Sequence, residues 1–294
     1  MSRLKITSLG SSFAAGPLIS PIVDRSAMRS GRNYPSQVAT SLNAELTDLT
    51  SSGATLLEVL EESQTTFSGE VLPPQLSRLP SDTDIVTLTG GGNDLGYSKG
   101  MLYDAFLSFS GPMRKMARNL LSEPKTGLSI DELVDRFVAV LDAIHYKVPK
   151  AKVFLVQYIS IFGTDSTPGP GLPLPWEQIG FYRQMGVLLD RAYEKAAALR
   201  ADYVELVPVA SLSEGHEVGS AEPWISEFTW KNGMIQFHPN IAGHTAIAEY
   251  LESALSEFTW KNGMIQFHPN IAGHTAIAEY LESALRSEDR QTEH

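Results

Sequence analysis

The chain reads as an α/β protein with a parallel sheet covered by helices on both faces. Three observations predict this. Short apolar runs alternate with longer stretches of helical spacing, the pattern of strand–helix–strand units. The first three runs end in small, turn-forming segments: GSS (10–12), SSG (51–53) and GGGND (90–94). No internal stretch has the composition of a linker between domains. In such sheets ligands bind beyond the carboxyl ends of the strands, so the three segments should meet along one edge.

Each element follows in order. LKITSLG (4–10) alternates and ends in glycine, which predicts the first strand. A loop rich in Gly, Pro and Ser runs to about Tyr34. PSQVATSLNAEL (35–46) has helical spacing through Val38, Leu42 and Leu46. LTDLTSSGAT predicts a second strand ending at Gly53, and DIVTLTGGGND (84–94) a third running into glycines. Residues 95–128 are less regular and carry Tyr97, Met101, Tyr103, Phe106, Phe109, Met113 and Met116. That segment reads as core or cover, with a lid over an apolar acyl chain as the alternative. SIDELVDRFVAVLDAIHYKV (129–148) predicts a helix, with Ser129 as N-cap and Glu132 three residues on. AKVFLVQYISI (151–161) is a fourth strand, TDSTPGPGLPLP (164–175) a loop, Trp176 to about Arg200 a long helix, and ADYVELVPV (201–209) a fifth strand.

The chain of 294 residues is 43% hydrophobic and 19% charged, ordinary values for a globular protein. It has no cysteine, which excludes disulfides, thiolate metal sites and cysteine nucleophiles. A net charge of −11 disfavours a nucleic-acid partner and an anionic membrane surface. The first residues, MSRLKITSLGSS, hold no apolar run of signal-peptide length, and no stretch approaches the ~20 apolar residues of a membrane span. The expectation is a soluble, cytoplasmic protein without integral membrane association.

SEFTWKNGMIQFHPNIAGHTAIAEYLESAL occupies 226–255 and returns letter for letter at 256–285. Two identical copies with nothing similar elsewhere are unlike a solenoid, which needs at least three units. The expected organisation is a domain over 1–255 followed by a duplicated segment and polar tail, 256–294.

Three segments carry chemistry. GSSFAAG (10–16) can expose a serine hydroxyl at a strand-to-helix turn, or it can cap a helix or cradle a phosphate. GGGND can hold an Asn amide over the same crevice, or be a turn only. HPN (238–240, and 268–270 in the copy) holds an imidazole on extended backbone at a helix entrance, or is a helix-start histidine without a role. His244 and His274 read as surface or packing residues, and His145, His216 and His294 likewise carry no role. A hydroxyl nucleophile needs a base and donors for the oxyanion, and Ser, Gly, Asn and His occur here in that order. A phosphate site would favour a Lys or Arg near the glycines, and neither GSSFAAG nor GGGND has one.

On these residues the chain resembles the SGNH, or GDSL-type, serine hydrolases. Their first block, Gly-Asp-Ser, matches Gly10-Ser11-Ser12 with Ser in place of Asp. Their second-block glycine matches Gly53. Their Gly-x-Asn-Asp block matches Gly91-Gly92-Asn93-Asp94, and their His-Pro matches His238-Pro239 and also His268-Pro269. The stretch HEVGSAEPW (216–224) resembles the esterase and lipase branch. The resemblance implies a three-layer α/β/α flavodoxin-like domain with a central parallel sheet, and ester hydrolysis without cofactor or metal.

It also implies roles. Ser12 attacks the ester carbonyl and His238 takes its proton. The backbone N–H of Ser12, that of Gly53 and the side chain of Asn93 hold the oxyanion. The family usually has Asp three residues before the His. Here that position is Ile235 (Ile265 in the copy), so its main-chain carbonyl is expected to orient the imidazole, with Glu217 or Glu222 as the carboxylate alternatives. The expected substrate is a small-molecule or lipid ester with an apolar acyl chain. A non-catalytic binding module on the same fold is the competing reading. Identical side chains give the two copies equal docking contacts, and the shorter tether favours the first. His238 is therefore expected to work and His268 to be spare. The first copy's helix is expected to run on towards Phe258, and the spare copy offers a means of self-association.

Overall fold

The computed structural model describes residues 3–112, 114–115, 118 and 128–261, with backbone alone over 256–261. Nine strands are assigned within them: β1 Lys5–Gly10, β2 Ile22–Asp24, β3 Arg29–Ser30, β4 Glu45–Asp48, β5 Gln64–Thr65, β6 Val71–Leu72, β7 Ile85–Thr89, β8 Lys152–Val156 and β9 Val204–Val207. The helices are α1 Ser12–Ala15, α2 Tyr34–Ser41, α3 Leu56–Leu60, α4 Tyr97–Ser108, α5 Ile130–Lys147, α6 Trp176–Leu199, α7 Val209–Leu212 and α8 Ile241–Lys261. The chain divides into two compact units, Met1–Leu251 and Glu252–His294. The fold described below is that of the first.

Five strands form one parallel sheet in the order β4-β1-β7-β8-β9. Counted along the chain, the order is 2-1-3-4-5, the flavodoxin-like arrangement. The layers follow from its handedness. Crossovers between parallel strands are right-handed. The first crossover, β1 to β4, steps one way along the sheet and the later ones step the other way. So α2 lies on one face, while α3, α5 and α6 lie on the opposite face. The contacts agree: α5 packs on α6 and on α3, whereas α8 joins α2 through Thr245 Oγ1, which donates to Gln37 Oε1 at 3.0 Å. The middle strands are buried on both faces, as such sheets require; β7 reads IVTLT and every residue of it is buried.

Several boundaries differ from the sequence expectation. The helix expected over 35–46 stops at Ser41. Asn43 turns left-handed (φ 48°) and Ala44 bonds back to Ala39, so Leu46 joins β4 instead. The second and fourth strands end at Asp48 and Val156, before their apolar runs end. Beyond those points single bonds still reach the neighbouring strands, Leu49 N to Ser8 O at 2.9 Å and Gln157 N to Val207 O at 3.1 Å, before the chain turns away. The helix at 130–147 has its expected box: Ser129 caps the Glu132 N–H, and Glu132 Oε2 accepts from the Ser129 N–H at 2.8 Å. The aromatic segment after GGGND becomes α4, whose Tyr97, Met101 and Phe106 are core. Met113 and Met116 lie outside the described residues.

Candidate active site

Strand β1 delivers the serine. It ends at Gly10, with φ of 132°, where a Cβ would sit 2.0 Å from the Thr89 carbonyl oxygen, so only glycine fits. Gln75 holds both backbone polar groups of Gly10: its Oε1 accepts from Gly10 N at 2.8 Å and its Nε2 donates to Gly10 O at 2.9 Å. Ser11 follows in extended backbone, and Ser12 opens the short helix α1. The two serines then part. Ser11 is fully buried, with its Oγ 2.6 Å from Tyr158 Oη, and Tyr158 stacks on Phe13 at 3.9 Å. Ser12 Oγ lies 2.8 Å from His238 Nε2. As the first residue of a helix, Ser12 has a backbone N–H without an intrahelical acceptor.

His238 arrives from the other end of the chain on residues 225–240. Ser226 N donates to His238 O at 2.9 Å, and Asn240 caps α8 with Oδ1 accepting from Gly243 N at 3.0 Å. His238 Nδ1 lies 2.7 Å from the Gln236 carbonyl oxygen. A carbonyl only accepts, so Nδ1 carries the proton. Nε2 is left with its lone pair towards the Ser12 hydroxyl, which donates to it. Burial pushes the His238 imidazole down to about 4, against the raising effect of the Gln236 carbonyl. The ring therefore rests neutral, in the tautomer a general base needs.

The orienting carbonyl is thus Gln236's and not Ile235's. Phe237 turns left-handed (φ 57°), and that turn brings the carbonyl two residues before the histidine, rather than three, under the ring. Ile235 instead donates its N–H to Asn232 O at 2.9 Å. Neither carboxylate alternative takes the place: Glu217 Oε2 accepts from Gly215 N, and Glu222 uses its main-chain oxygen on His216. The Gln236 side chain is itself buried and tied three times, accepting from Thr229 N at 3.0 Å and donating to the carbonyls of Thr229 and Gly233, both at 2.8 Å. Sequence spacing gave no sign of Gln236, nor of Tyr158.

The expected oxyanion donors occupy two neighbouring turns. Gly53 has φ of +87°, and Ser51, two residues before it, donates its N–H to Gly10 O at 3.0 Å. Asn93 donates from Nδ2 to Ala54 O at 2.8 Å, which ties its turn to that of Gly53. The neighbouring Asp94 locks the pair. Its Oδ2 accepts from Leu56 N at 3.0 Å and its Oδ1 pairs with Arg136 at 2.8 Å. Burial pushes the Asp94 carboxyl up, and the Arg136 hydrogen bond opposes this. The Gly10, Gly53 and Asn93 turns are therefore one hydrogen-bonded unit. A cavity of about 700 Å³ lies elsewhere, lined by Arg183, Asp190, Glu194 and Glu217 among others but by neither Ser12 nor His238. Burial, with Glu194 adding, raises Asp190 to about 7. No paired nucleophile and base line that cavity. Among the described residues no cluster of His, Asp and Glu could hold a metal ion.

Residues 8–246 match the model of the GDSL-like lipase/acylhydrolase family. The chain belongs to that family. This GDSL-like protein is a serine ester hydrolase. It is 27% identical over 266 residues to Lipase 2 of Streptomyces coelicolor, covering 86% of each chain. It is 28% identical over 241 residues to an esterase of Streptomyces scabiei, covering 67% of this chain and 68% of the relative. The fold is shared with the crystal structures of phospholipase A1 from Streptomyces albidoflavus NA297 (TM-score 0.67, 22% identity) and the extracellular lipase of Streptomyces rimosus (TM-score 0.65, 23% identity). The GDSL-like protein covers 86% and 85% of its own length in these matches, and 99% of each structure. Among the described residues no helix is long and apolar enough to cross a membrane. His268 and the rest of the second copy beyond Lys261 lie outside the described residues.

Proposed function

We propose that this hydrolase cleaves carboxylic esters with a Ser12–His238 pair oriented by the Gln236 carbonyl. The observation that carries the reading is the continuous contact from Gln236 O to His238 Nδ1 (2.7 Å) and from His238 Nε2 to Ser12 Oγ (2.8 Å). A binding module that had lost catalysis would have no need of a buried, tautomerically poised imidazole on a serine.

The chemistry follows from that contact. Ser12 Oγ attacks the carbonyl carbon as its proton passes to His238 Nε2. The imidazolium so formed keeps Nδ1–H on the Gln236 carbonyl. The negative charge on the former carbonyl oxygen is held by the N–H groups of Ser12 and Gly53 and by the Asn93 amide, which has a second N–H beyond the one on Ala54 O. Collapse expels the alcohol, which leaves with the proton from His238 Nε2. A water then gives its proton to His238 and attacks the acyl-enzyme, releasing the acid and free Ser12. The substrates we infer are acyl esters, from small esters to lipids. The catalytic domain we take as 1–255, with the repeat at 256–285 dispensable for chemistry and available for self-association.

Ser12→Ala tests the assignment. It should abolish turnover of p-nitrophenyl esters and labelling by a fluorophosphonate while leaving the circular dichroism spectrum unchanged. Turnover surviving in that variant, and lost instead in Ser11→Ala, would move the nucleophile by one residue.

A further inference from the structure

Among the exposed large apolar side chains, one stands beside the oxyanion turn. Phe67 is 65% exposed, and a methyl group placed on Gly53 would lie 3.3 Å from its Cε2. Single exposed hydrophobic residues are ordinary. This one is held in place. It projects from the turn between β5 and β6, which pair Gln64 with Leu72 and Thr65 with Val71. Thr66 N donates to Glu70 O at 2.8 Å, Gly69 N donates to Thr66 O at 2.9 Å, and the Thr66 and Ser68 hydroxyls are 2.9 Å apart. The base of the hairpin is fastened to the turn it overhangs: buried Gln64 donates from Nε2 to Ser52 O at 2.9 Å. The hairpin therefore holds a phenyl ring, largely open to solvent, against the glycine proposed above as an oxyanion donor. Val71, 62% exposed, extends the apolar surface of the same hairpin.

We propose that Phe67 forms the wall of an apolar subsite that receives the acyl chain of the ester. The inference rests on the Ser12–His238 reading and its oxyanion turn. The direction follows from the four groups on the tetrahedral carbon. One is Ser12 Oγ. The oxyanion faces Gly53 and Asn93. The alcohol oxygen must reach His238 Nε2 to collect its proton, so it lies towards the segment that carries His238. The acyl carbon takes the remaining direction. Gly53 follows the edge strand β4, whereas the segment that carries His238 meets the loop after β8, where Phe228 N donates to Gly171 O at 2.8 Å, so an acyl chain that leaves past the Gly53 turn runs along the Phe67 ring. An acetyl group is too short to cover the ring, whereas a chain of several methylenes can lie along it. Covering roughly 55 Å² of apolar surface at ~25 cal/mol per Å² corresponds to about tenfold in kcat/KM.

The experiment measures kcat/KM for p-nitrophenyl acetate, butyrate and octanoate in the full-length wild type, Phe67→Ala and Phe67→Leu. The octanoate-to-acetate ratio should fall about tenfold in Phe67→Ala and be largely restored in Phe67→Leu. A parallel series of acetates with lengthening alcohols should show no such dependence on Phe67. An unchanged octanoate-to-acetate ratio overturns the subsite, and so does a loss that follows the alcohol instead of the acyl chain. Ser12→Ala, run alongside, separates the two readings. If it is inactive while the acyl series is flat in Phe67→Ala, the subsite alone fails. If it stays active, the serine assignment has failed, and the acyl series still reports on Phe67.

Discussion

His238 and His244 stand six residues apart, on either side of the entrance to α8, and both are buried. Burial pushes both imidazoles down, to about 4 and about 3 respectively, with the nearby His238 adding to the effect on His244. Their hydrogen bonds are opposite. His238 Nδ1 donates to a carbonyl, which frees Nε2 as an acceptor for Ser12. His244 Nδ1 accepts from Tyr34 N at 3.1 Å, so its proton sits on Nε2, which has no hydrogen-bond partner among the described residues. The same side chain, buried in both places, offers a free lone pair to a serine hydroxyl in one and accepts from a backbone N–H in the other. The partner of Nδ1 decides which, because it sets the tautomer.

Exchange or loss of these partners gives effects of very different size. His238→Ala should be the most severe, lowering kcat on the order of 10⁶ as for a nucleophile–base pair acting as a unit. His268→Ala should match wild type in the same esterase assay. The reverse outcome would show that the second copy fills the site.

Gln236→Ala keeps the carbonyl that orients His238 but removes the three side-chain bonds that hold it. We expect kcat to fall roughly tenfold or more, the size of effect that a loosened reacting geometry produces, with KM little changed. A normal kcat in that variant would show that the left-handed turn at Phe237 alone positions the imidazole.

His244→Ala should retain esterase activity and lose about 2–4 kcal/mol of stability in a denaturant titration. It opens a cavity and strands the Tyr34 N–H. Dead enzyme with intact fold would erase the distinction between the two histidines.

The smallest effect concerns pH. Both folded values lie below the ordinary 6.5, so between 6.5 and the folded values the unfolded chain binds more protons. Stability from these groups is therefore fully present above about 6.5 and is lost as pH falls through about 4 and then about 3. His244→Ala should flatten the slope of stability against pH in that window, and the acidic limb of kcat/KM, set by His238, should stay near 4 rather than 6.5.

Much of this was legible in the residues. Alternation of apolar runs and helical stretches is local, so it predicted the parallel sheet even where the ends of α2, β4 and β8 shifted. The strand shifts arose where an apolar run continued past the last paired residue, and pairing is not written in hydropathy; α2 stopped early because Asn43 turns left-handed. The serine turn was legible because Gly10 must meet Thr89 without a Cβ, a demand that leaves a glycine in the sequence. The expectation of Ser12 over Ser11 came from the resemblance, and nothing local in the sequence separates the two serines. What distinguishes them in the fold is the Tyr158 hydroxyl, which engages Ser11 from 147 residues away.

By itself, the sequence determined the layered α/β class, the glycine turns at the strand ends, and the order of hydroxyl, amide and imidazole. It also determined that no thiol or disulfide takes part, and that a second copy of the histidine segment exists. These are matters of residue type and short-range backbone preference. Tertiary structure alone decided which carbonyl holds His238, which tautomer each buried histidine adopts, and that Phe67 stands against Gly53. Each of these depends on the angle at which one segment returns to another. A left-handed turn at Phe237 shifts the acceptor by one residue, and a hairpin fastened by Gln64 sets where an otherwise ordinary phenyl ring points. Hydrogen bonds are directional over tenths of an ångström, and no residue spacing encodes that direction until the chain has folded back on itself.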